Sequence, residues 1–308
     1  MEFSETAITH KGNTMNLEIF MPFYGDVEYF KTAVMSVVNQ TDPQWKLTIL
    51  DDQYPSREPE EFVLGLNDSR ITYLRNKQNL GVSQNFQQCL ELAEADFINI
   101  MGCDDELLDN FVKRTKEIIA ANSVVSYIQP GVQIIDEKGQ PYLPLGDKVK
   151  RRIRNEFNPP TELSGENLAS SLLKGCWTYF PSLIWKTSEI KKYNFRSDFT
   201  IVLDLALQLE IISGGGSLYV DDEPSFLYRR HRSSVSMKSS LDGTRFIEES
   251  QLFNQFAEKS LILGWNKARR EANLHLTSRL NALLEIPVAL IQRQFTGAGI
   301  LIRHVFSK

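Results

Sequence analysis

Over the first hundred residues, apolar positions follow two alternating rhythms. Leu17–Met21, Leu47–Leu50, Ile71–Leu74 and Phe97–Met101 are short, apolar-dominated runs. Between them, apolar residues recur every three or four positions: Val27, Phe30, Val34, Val37 and Val38, then Phe86, Cys89, Leu90 and Ala93. The runs predict strands buried on both faces of a parallel sheet, and the wider spacing predicts helices crossing between them. A weaker helical pattern covers Arg57–Leu66. Pro22 is expected to stop the first strand, Asp26 and Ser83 to cap helices, and Asn79-Leu80-Gly81-Val82 to form a turn. Strand and helix in alternation make an α/β sheet with right-handed crossovers.

Further along, the rhythm loosens. A helix is predicted over Leu107–Ala120, then paired strands Val124–Gln133 and Ile134–Tyr142 around a Glu137-Lys138-Gly139 turn. Arg151–Pro160 reads as a charged loop, Glu166–Leu173 as a helix and Ser182–Trp185 as a strand. Val202–Ile212 is a helix ended by Gly214-Gly215-Gly216, and Ser217–Val220 and Phe226–Tyr228 are short strands. Helices Phe246–Leu263 and Lys267–Leu284 follow, and Pro287 opens a last apolar and basic segment.

Two of the apolar runs end in adjacent acids, Asp51-Asp52 and Asp104-Asp105. In open α/β sheets ligands bind outside the carboxyl ends of the strands, so both pairs stand where a ligand would lie. Carboxylates gathered at one rim suit a hard divalent cation, Mn²⁺ or Mg²⁺, and a phosphate-bearing substrate. The plainer alternative for Asp104 and Asp105 is that they cap the helix expected near Leu107. No GxGxxG or GxxxxGK[ST] occurs, so neither a dinucleotide fingerprint nor a P-loop is present.

Composition adds bounds. The chain has 308 residues, 42% of them hydrophobic and 24% charged, which fits one large globular domain with an elaboration. Cys89, Cys103 and Cys176 are odd in number and lack metal-ligand spacing, which points to a reducing, cytoplasmic setting. Met1–Asn16 has no apolar core, so no signal peptide is expected there, and no apolar run approaches the roughly 18 residues of a membrane span. Net charge is −5, unevenly spread: from Gly264 onward seven basic residues face Glu271 and Glu285, making that end +5 and the rest −10. A basic amphipathic end suits an anionic membrane surface, placing the protein peripherally at the inner face of the cell membrane; an ordinary pair of packing helices would show the same spacing. The acidic body argues against nucleic acid as a partner.

The motifs Met21-Pro22-Phe23-Tyr24, Ser36-Val37-Val38-Asn39-Gln40-Thr41, Ile49-Leu50-Asp51-Asp52, Asn79-Leu80-Gly81-Val82-Ser83 and Cys103-Asp104-Asp105 stand in an order and spacing that resembles the inverting family-2 glycosyltransferases. Val202-Leu203-Asp204-Leu205 is similar to that family's acidic motif, and Tyr228-Arg229-Arg230-His231-Arg232 to its late Tyr/His element, so the resemblance covers about residues 16–236. It implies a GT-A fold, an α/β Rossmann-like and mostly parallel sheet flanked by helices, with a helical C-terminal extension. It implies four parts: a polar tail 1–15, a nucleotide-sugar-binding half 16–123, an acceptor-binding half 124–240 and the extension 241–308. The implied reaction is metal-dependent transfer of a sugar from a nucleotide diphosphate donor, a UDP- or dTDP-sugar, to a hydroxyl of a glycan or lipid-linked glycan during cell-surface polysaccharide synthesis.

Site residues follow from the same resemblance. Pro22, Phe23, Tyr24, Asp51, Asp52, Arg75, Asn79, Asn85 and Asp104 would bind the nucleotide sugar. A carboxylate can accept the imide N–H of uracil or thymine, and an aromatic ring can cover the base. Asp104, Asp105 and His231 would hold the metal, and Asp204 would be the general base. Against these stand a surface histidine repelled by its arginines, and an acid on a helix's solvated face. Trp177 would stack on the acceptor sugar, unless it is simply core.

Four residues depart from the family pattern. Gly102 stands where the metal motif's first Asp is common, Leu203 where Glu precedes the base, and Gln53-Tyr54 where Gly-Ser follows the first acid pair. They leave room for a catalytically silent sugar-nucleotide-binding scaffold, which would bind nucleotide without metal-dependent turnover. A nucleotidyltransferase would show a Gly-rich, Lys/Arg-bearing loop after the first strand, and Met21-Pro22-Phe23-Tyr24-Gly25-Asp26 is not one.

Overall fold

A computed structural model describes residues 17–122, 124–231 and 241–306. The polar stretch 1–15, Arg232 of the late basic run and Lys308 lie outside the described residues. The strands are β1 (Leu17–Phe23), β2 (Trp45–Asp51), β3 (Ile71–Arg75), β4 (Phe97–Ile100), β5 (Glu106–Leu107), β6 (Tyr127–Ile135), β7 (Thr161–Ser164), β8 (Ile184–Lys186) and β9 (Ser217–Arg229). They form one sheet in the order β3-β2-β1-β4-β8-β6-β9-β5, with β7 added on β9. β3, β2, β1 and β4 are mutually parallel, whereas β8 runs antiparallel to both β4 and β6, and β5 and β7 run antiparallel to β9. β6 and β9 are parallel to each other and run with β1–β4, so the sheet is mixed, with six of its nine strands pointing one way.

Alternate residues of the central strands enter two separate apolar layers. Leu17, Ile19, Met21 and Phe23 of β1 pack under helices α1 (Val27–Val38) and α4 (Phe111–Ala121). Phe20 and Leu50 face the other way, toward α3 (Val82–Leu92), α6 (Gly165–Lys174) and α8 (Leu203–Ser213). Leu252, Phe253 and Phe256 of helix Thr244–Leu263 enter that second layer, so the extension is packed on the α8 face.

Several expectations need correction. Pro22 sits inside β1, paired with Leu50. On the β4 side the last ladder bond is Met101 N–H to Phe20 O. The next β1 donor on that side would be residue 22, so the proline ends pairing with β4 without ending the strand. β4 departs there, opening the rim at Gly102. The helix expected from Leu107 begins at Phe111, after β5. In place of two paired strands, β6 runs straight through to Ile135, and only Ile135 and Pro141 bridge across the turn. The expected loop at 151–160 starts as helix α5 (Leu145–Asn155), whose buried positions Asp147 and Ile153 include only one apolar residue. β9 joins what read as two strands, with an irregular register against β6 near Gly131. Asp26 caps α1 as expected, whereas Ser83 lies inside α3 and donates to Phe199 O.

The end of the chain also differs. The single helix expected over Lys267–Leu284 is broken at His275 (φ 49), giving Asn266–Leu274 and Leu276–Ile291, and Pro287 lies inside the second. Taken together, Asn266–Ile291 is long and apolar enough, by length and composition alone, to cross a membrane. That corrects the expectation that no such stretch exists.

Candidate active site

The first acid pair is turned inward. Asp51 is fully buried; its Oδ2 accepts from Arg75 Nη1 (2.6 Å) and Tyr73 Oη (2.8 Å), and its Oδ1 from the Tyr54 N–H (2.6 Å). Arg75 also donates to Tyr54 O. Asp52 accepts the N–H groups of Leu80 (2.7 Å) and Gly81 (2.8 Å) and the Asn76 amide, and Asn79 donates to Asp52 O. These bonds pin the loop 76–81 to the end of β2. Asn85 is buried and donates to Leu50 O, a clamp inside the fold rather than a contact at the rim. Phe23 is corrected likewise: its ring lies in the core at 4.3 Å from Phe30 and 5.0 Å from Tyr54. Of the two aromatic candidates beside Pro22, Tyr24 is the exposed one, edge-on to Tyr54 at 5.8 Å.

The second pair faces the rim. Helix α4 begins at Phe111 with no side-chain cap, so neither Asp104 nor Asp105 caps it. Asp104 Oδ2 instead lies 2.5 Å from His231 Nε2, a contact between residues 127 positions apart. Asp105 is buried; its Oδ1 accepts the Arg229 N–H (2.9 Å), and its Oδ2 has no partner among the described residues. Burial, and then the charge of Asp104, push its carboxyl well above the usual range. Arg229 reaches across the same corner, donating to Asp104 O and Asp136 O and pairing with Glu106. A Cβ built on Gly102 would stand 2.6 Å from Asp105 Oδ2 and 2.8 Å from Asp104 Oδ1. The glycine at this departure from the family pattern is what lets both carboxylates fold over the strand end.

Among the described residues no group of three or more His, Cys, Asp or Glu converges as a self-sufficient metal cage. The Asp104–His231 pair offers one oxygen and one nitrogen donor, beside the unsatisfied Asp105 oxygen. That set fits Mn²⁺ or Mg²⁺ arriving with a diphosphate, because such ions take few protein ligands and complete their shell with phosphate oxygens and water.

A polar track runs from this corner to Asp204. Arg230 donates to Asp147 Oδ1 (2.8 Å) and Oδ2 (3.1 Å), and Tyr179 Oη donates to the same carboxylate (2.8 Å). Lys150 Nζ lies 4.6 Å over the Tyr179 ring and donates to Thr178 O. Thr178 Oγ1 donates to Gln208 Oε1, and Gln208 donates to Asp204 O (3.3 Å). Asp204 stands in the first turn of α8. Burial raises its carboxyl above the ordinary value, while the Leu205 N–H, Lys150 and Arg245 pull the other way. Desolvation also lowers Lys150 and raises the Cys176 thiol to about 11. A carboxylate whose basicity is raised by burial is better suited to taking a proton.

Sequence reasoning missed Lys150, Asp147, Tyr179 and Arg245, which fall in stretches between the elements it assigned. It overreached at Trp177, which is 1% exposed, donates its indole N–H to Ser171 and packs near Phe157; it is core and offers no face to a sugar.

A family model described as Glycosyl transferase family 2 matches residues 18–185. The chain is 23% identical over 223 residues to the putative teichuronic acid biosynthesis glycosyltransferase TuaG of Bacillus subtilis, covering 71% of this chain and 81% of that one. It is 25% identical over 163 residues to the UDP-Glc:alpha-D-GlcNAc-diphosphoundecaprenol beta-1,3-glucosyltransferase WfgD of Escherichia coli, covering 53% and 58%. The crystal structure of S. aureus TarS 1-349 in complex with UDP-GlcNAc superposes with a TM-score of 0.67 at 15% identity, covering 94% of this chain and 82% of that one, which shows a shared fold.

Proposed function

This chain belongs to glycosyl transferase family 2 and is a glycosyltransferase, and from that premise we propose the reaction it carries out. It moves a sugar from a UDP- or dTDP-sugar to a hydroxyl of a glycan or lipid-linked glycan, inverting the anomeric centre, in cell-surface polysaccharide synthesis. UDP donors and a diphosphoundecaprenol acceptor are named for its relatives, and this assignment extends them to the present chain. The half 16–123 holds the donor, 124–240 the acceptor, and 241–308 is an extension meeting an anionic membrane at its cytoplasmic face.

The observation that carries the reading is the Asp104–His231 contact, which joins the end of β4 to the end of β9 at the rim. In the proposed mechanism Tyr24 covers the base, and Asp51 and Asp52 act by holding the loops around it. Asp104 and His231, with Asp105 beside them, hold Mn²⁺ or Mg²⁺. The bound ion would neutralise charge developing on the leaving diphosphate. Asp204 takes the acceptor proton at its carboxylate as the hydroxyl attacks the anomeric carbon and the bond to the diphosphate breaks, with Lys150 beside it and Arg230 held on Asp147. One carboxylate suffices, since the diphosphate leaves without being protonated; glycosidases need two.

Calorimetry with UDP and dTDP-sugars tests this. Mn²⁺ should tighten donor binding to the native protein, and Asp104→Ala should remove that dependence while leaving the fold intact. Equal affinities with and without Mn²⁺ in both proteins refute the metal site, and a product of retained anomeric configuration refutes the mechanism.

A further inference from the structure

Helices Leu276–Ile291 and Phe295–Phe306 pack on one another as a hairpin at the end of the chain. The first buries Ser278, Ala282 and Ala289 along one side. Every fully exposed residue on that helix is apolar; Leu276, Leu280, Leu283, Leu284 and Ile291 are 48–81% exposed. The second helix shows Phe295, Gly299, Ile302 and Phe306 at spacings of four, three and four, which is one stripe on a helix. Soluble proteins keep such contiguous apolar faces covered.

We propose that this hairpin is the surface by which the enzyme lies on a lipid bilayer rich in anionic headgroups. The inference deepens the reading above and rests on it, because it names the surface at which a lipid-linked acceptor would be met. Charge selects the occupant: Arg279, Arg293 and Arg303 flank the apolar faces, against Glu285 alone. A second copy docking through the same face would set these arginines against themselves, whereas an anionic bilayer satisfies both features. Only 22% of the apolar part of Asn266–Ile291 is buried, unlike a core helix.

Geometry favours lying along the bilayer over crossing it. Asn266–Leu274 carries Lys267, Arg269 and Arg270 and buries Ala268 and Ala272 against the body. Beyond the break at His275, the 16 residues Leu276–Ile291 span about 24 Å, short of the roughly 30 Å hydrocarbon core. A cavity of about 530 Å³ opens on the flank of both helices, lined by His275, Arg279, Ile300 and Arg303 among others. Arg279, which donates from Nη1 to Val305 O (3.3 Å), and Arg303 both line this cavity, and theirs are the charges that a headgroup phosphate would meet.

Flotation of the full-length protein with phosphatidylcholine vesicles, with and without phosphatidylglycerol, tests the proposal. Binding should require the anionic lipid and fall at least tenfold as salt rises from about 0.05 M to about 0.5 M. The outward-facing Leu280→Glu/Leu284→Glu variant should bind at least tenfold more weakly while keeping its far-UV spectrum and donor affinity, and Arg279→Gln/Arg303→Gln should lose the preference for anionic lipid. Native protein that ignores anionic vesicles at low salt overturns the proposal, as does binding unchanged in the Glu variant, or a native dimer that the Glu variant disperses. Transfer to a soluble acceptor by a protein that ignores vesicles would sink the docking surface alone. Vesicle binding without any nucleotide binding would sink the transfer reading alone.

Discussion

Glu248 Oε2 accepts the backbone N–H of Ile201 at 2.7 Å, and the same carboxylate takes the N–H groups of Thr200 and Val202. A side chain of helix Thr244–Leu263 thus satisfies the start of α8, which carries Asp204 in its first turn. The C-terminal extension is part of how the proposed base is held. Glu248→Ala should cost about 2 kcal/mol of stability, as charge-assisted bonds to backbone donors are lost. It should also lower kcat by about tenfold with donor affinity kept, because Asp204 loses its fixed position. An unchanged kcat alongside the stability loss would show that the cap serves folding only.

Asp204→Asn keeps the shape of the side chain but cannot take a proton. Turnover should fall on the order of a hundredfold or more while donor binding, measured by calorimetry, stays near native. The native pH profile carries the matching sign. The ionised carboxylate is the active form, so kcat/KM falls as pH drops through its folded pKa, and burial places that limb above the ordinary value of about 3.9. A limb at or below that value removes Asp204 as the titrating base.

Gly102→Ala should disturb the carboxylate pair directly. The added methyl would stand 2.6 Å from Asp105 Oδ2 and 2.8 Å from Asp104 Oδ1. Asp105, buried and held by the Arg229 N–H, has little room to move, so the melting temperature should fall as well. The carboxylates would be forced from their positions, and Mn²⁺-dependent donor affinity should fall by about ten- to a hundredfold. Native Mn²⁺ dependence in the variant would show that the glycine is incidental.

His275 predicts an acid-sensitive extension. Desolvation, with the nearby His304 and Arg279, lowers its pKa from 6.5 to about 4, and His304 is lowered as well. A depressed folded pKa means that this stability is fully present above pH 6.5 and is lost as pH falls toward 4. Melting temperatures from pH 7 to about 4 should therefore decline more steeply in the native protein than in His275→Asn, whose side chain tolerates the positive φ of that position. Parallel curves would assign the acid sensitivity elsewhere.

What the chain alone determines is local and periodic. The runs ending in Asp51-Asp52 and Asp104-Asp105, and the helical spacing of Val27 to Val38, specify the β1–β4 half because burial on both sheet faces demands unbroken apolar strands. The same logic places the acids at the rim. Tertiary structure decides what each acid does there. Asp51 and Asp52 are consumed by Arg75 and the loop at Leu80, while Asp104 meets a histidine 127 residues away. Helix α5 escaped notice because its apolar stripe, Leu145, Val149 and Ile153 at every fourth position, is thin and set among Lys and Arg residues that read as a charged loop. Glu248 and Lys150 escaped for a related reason: a polar side chain paired across the fold has no repeat along the sequence. Its role exists only once packing brings its partner within hydrogen-bond reach.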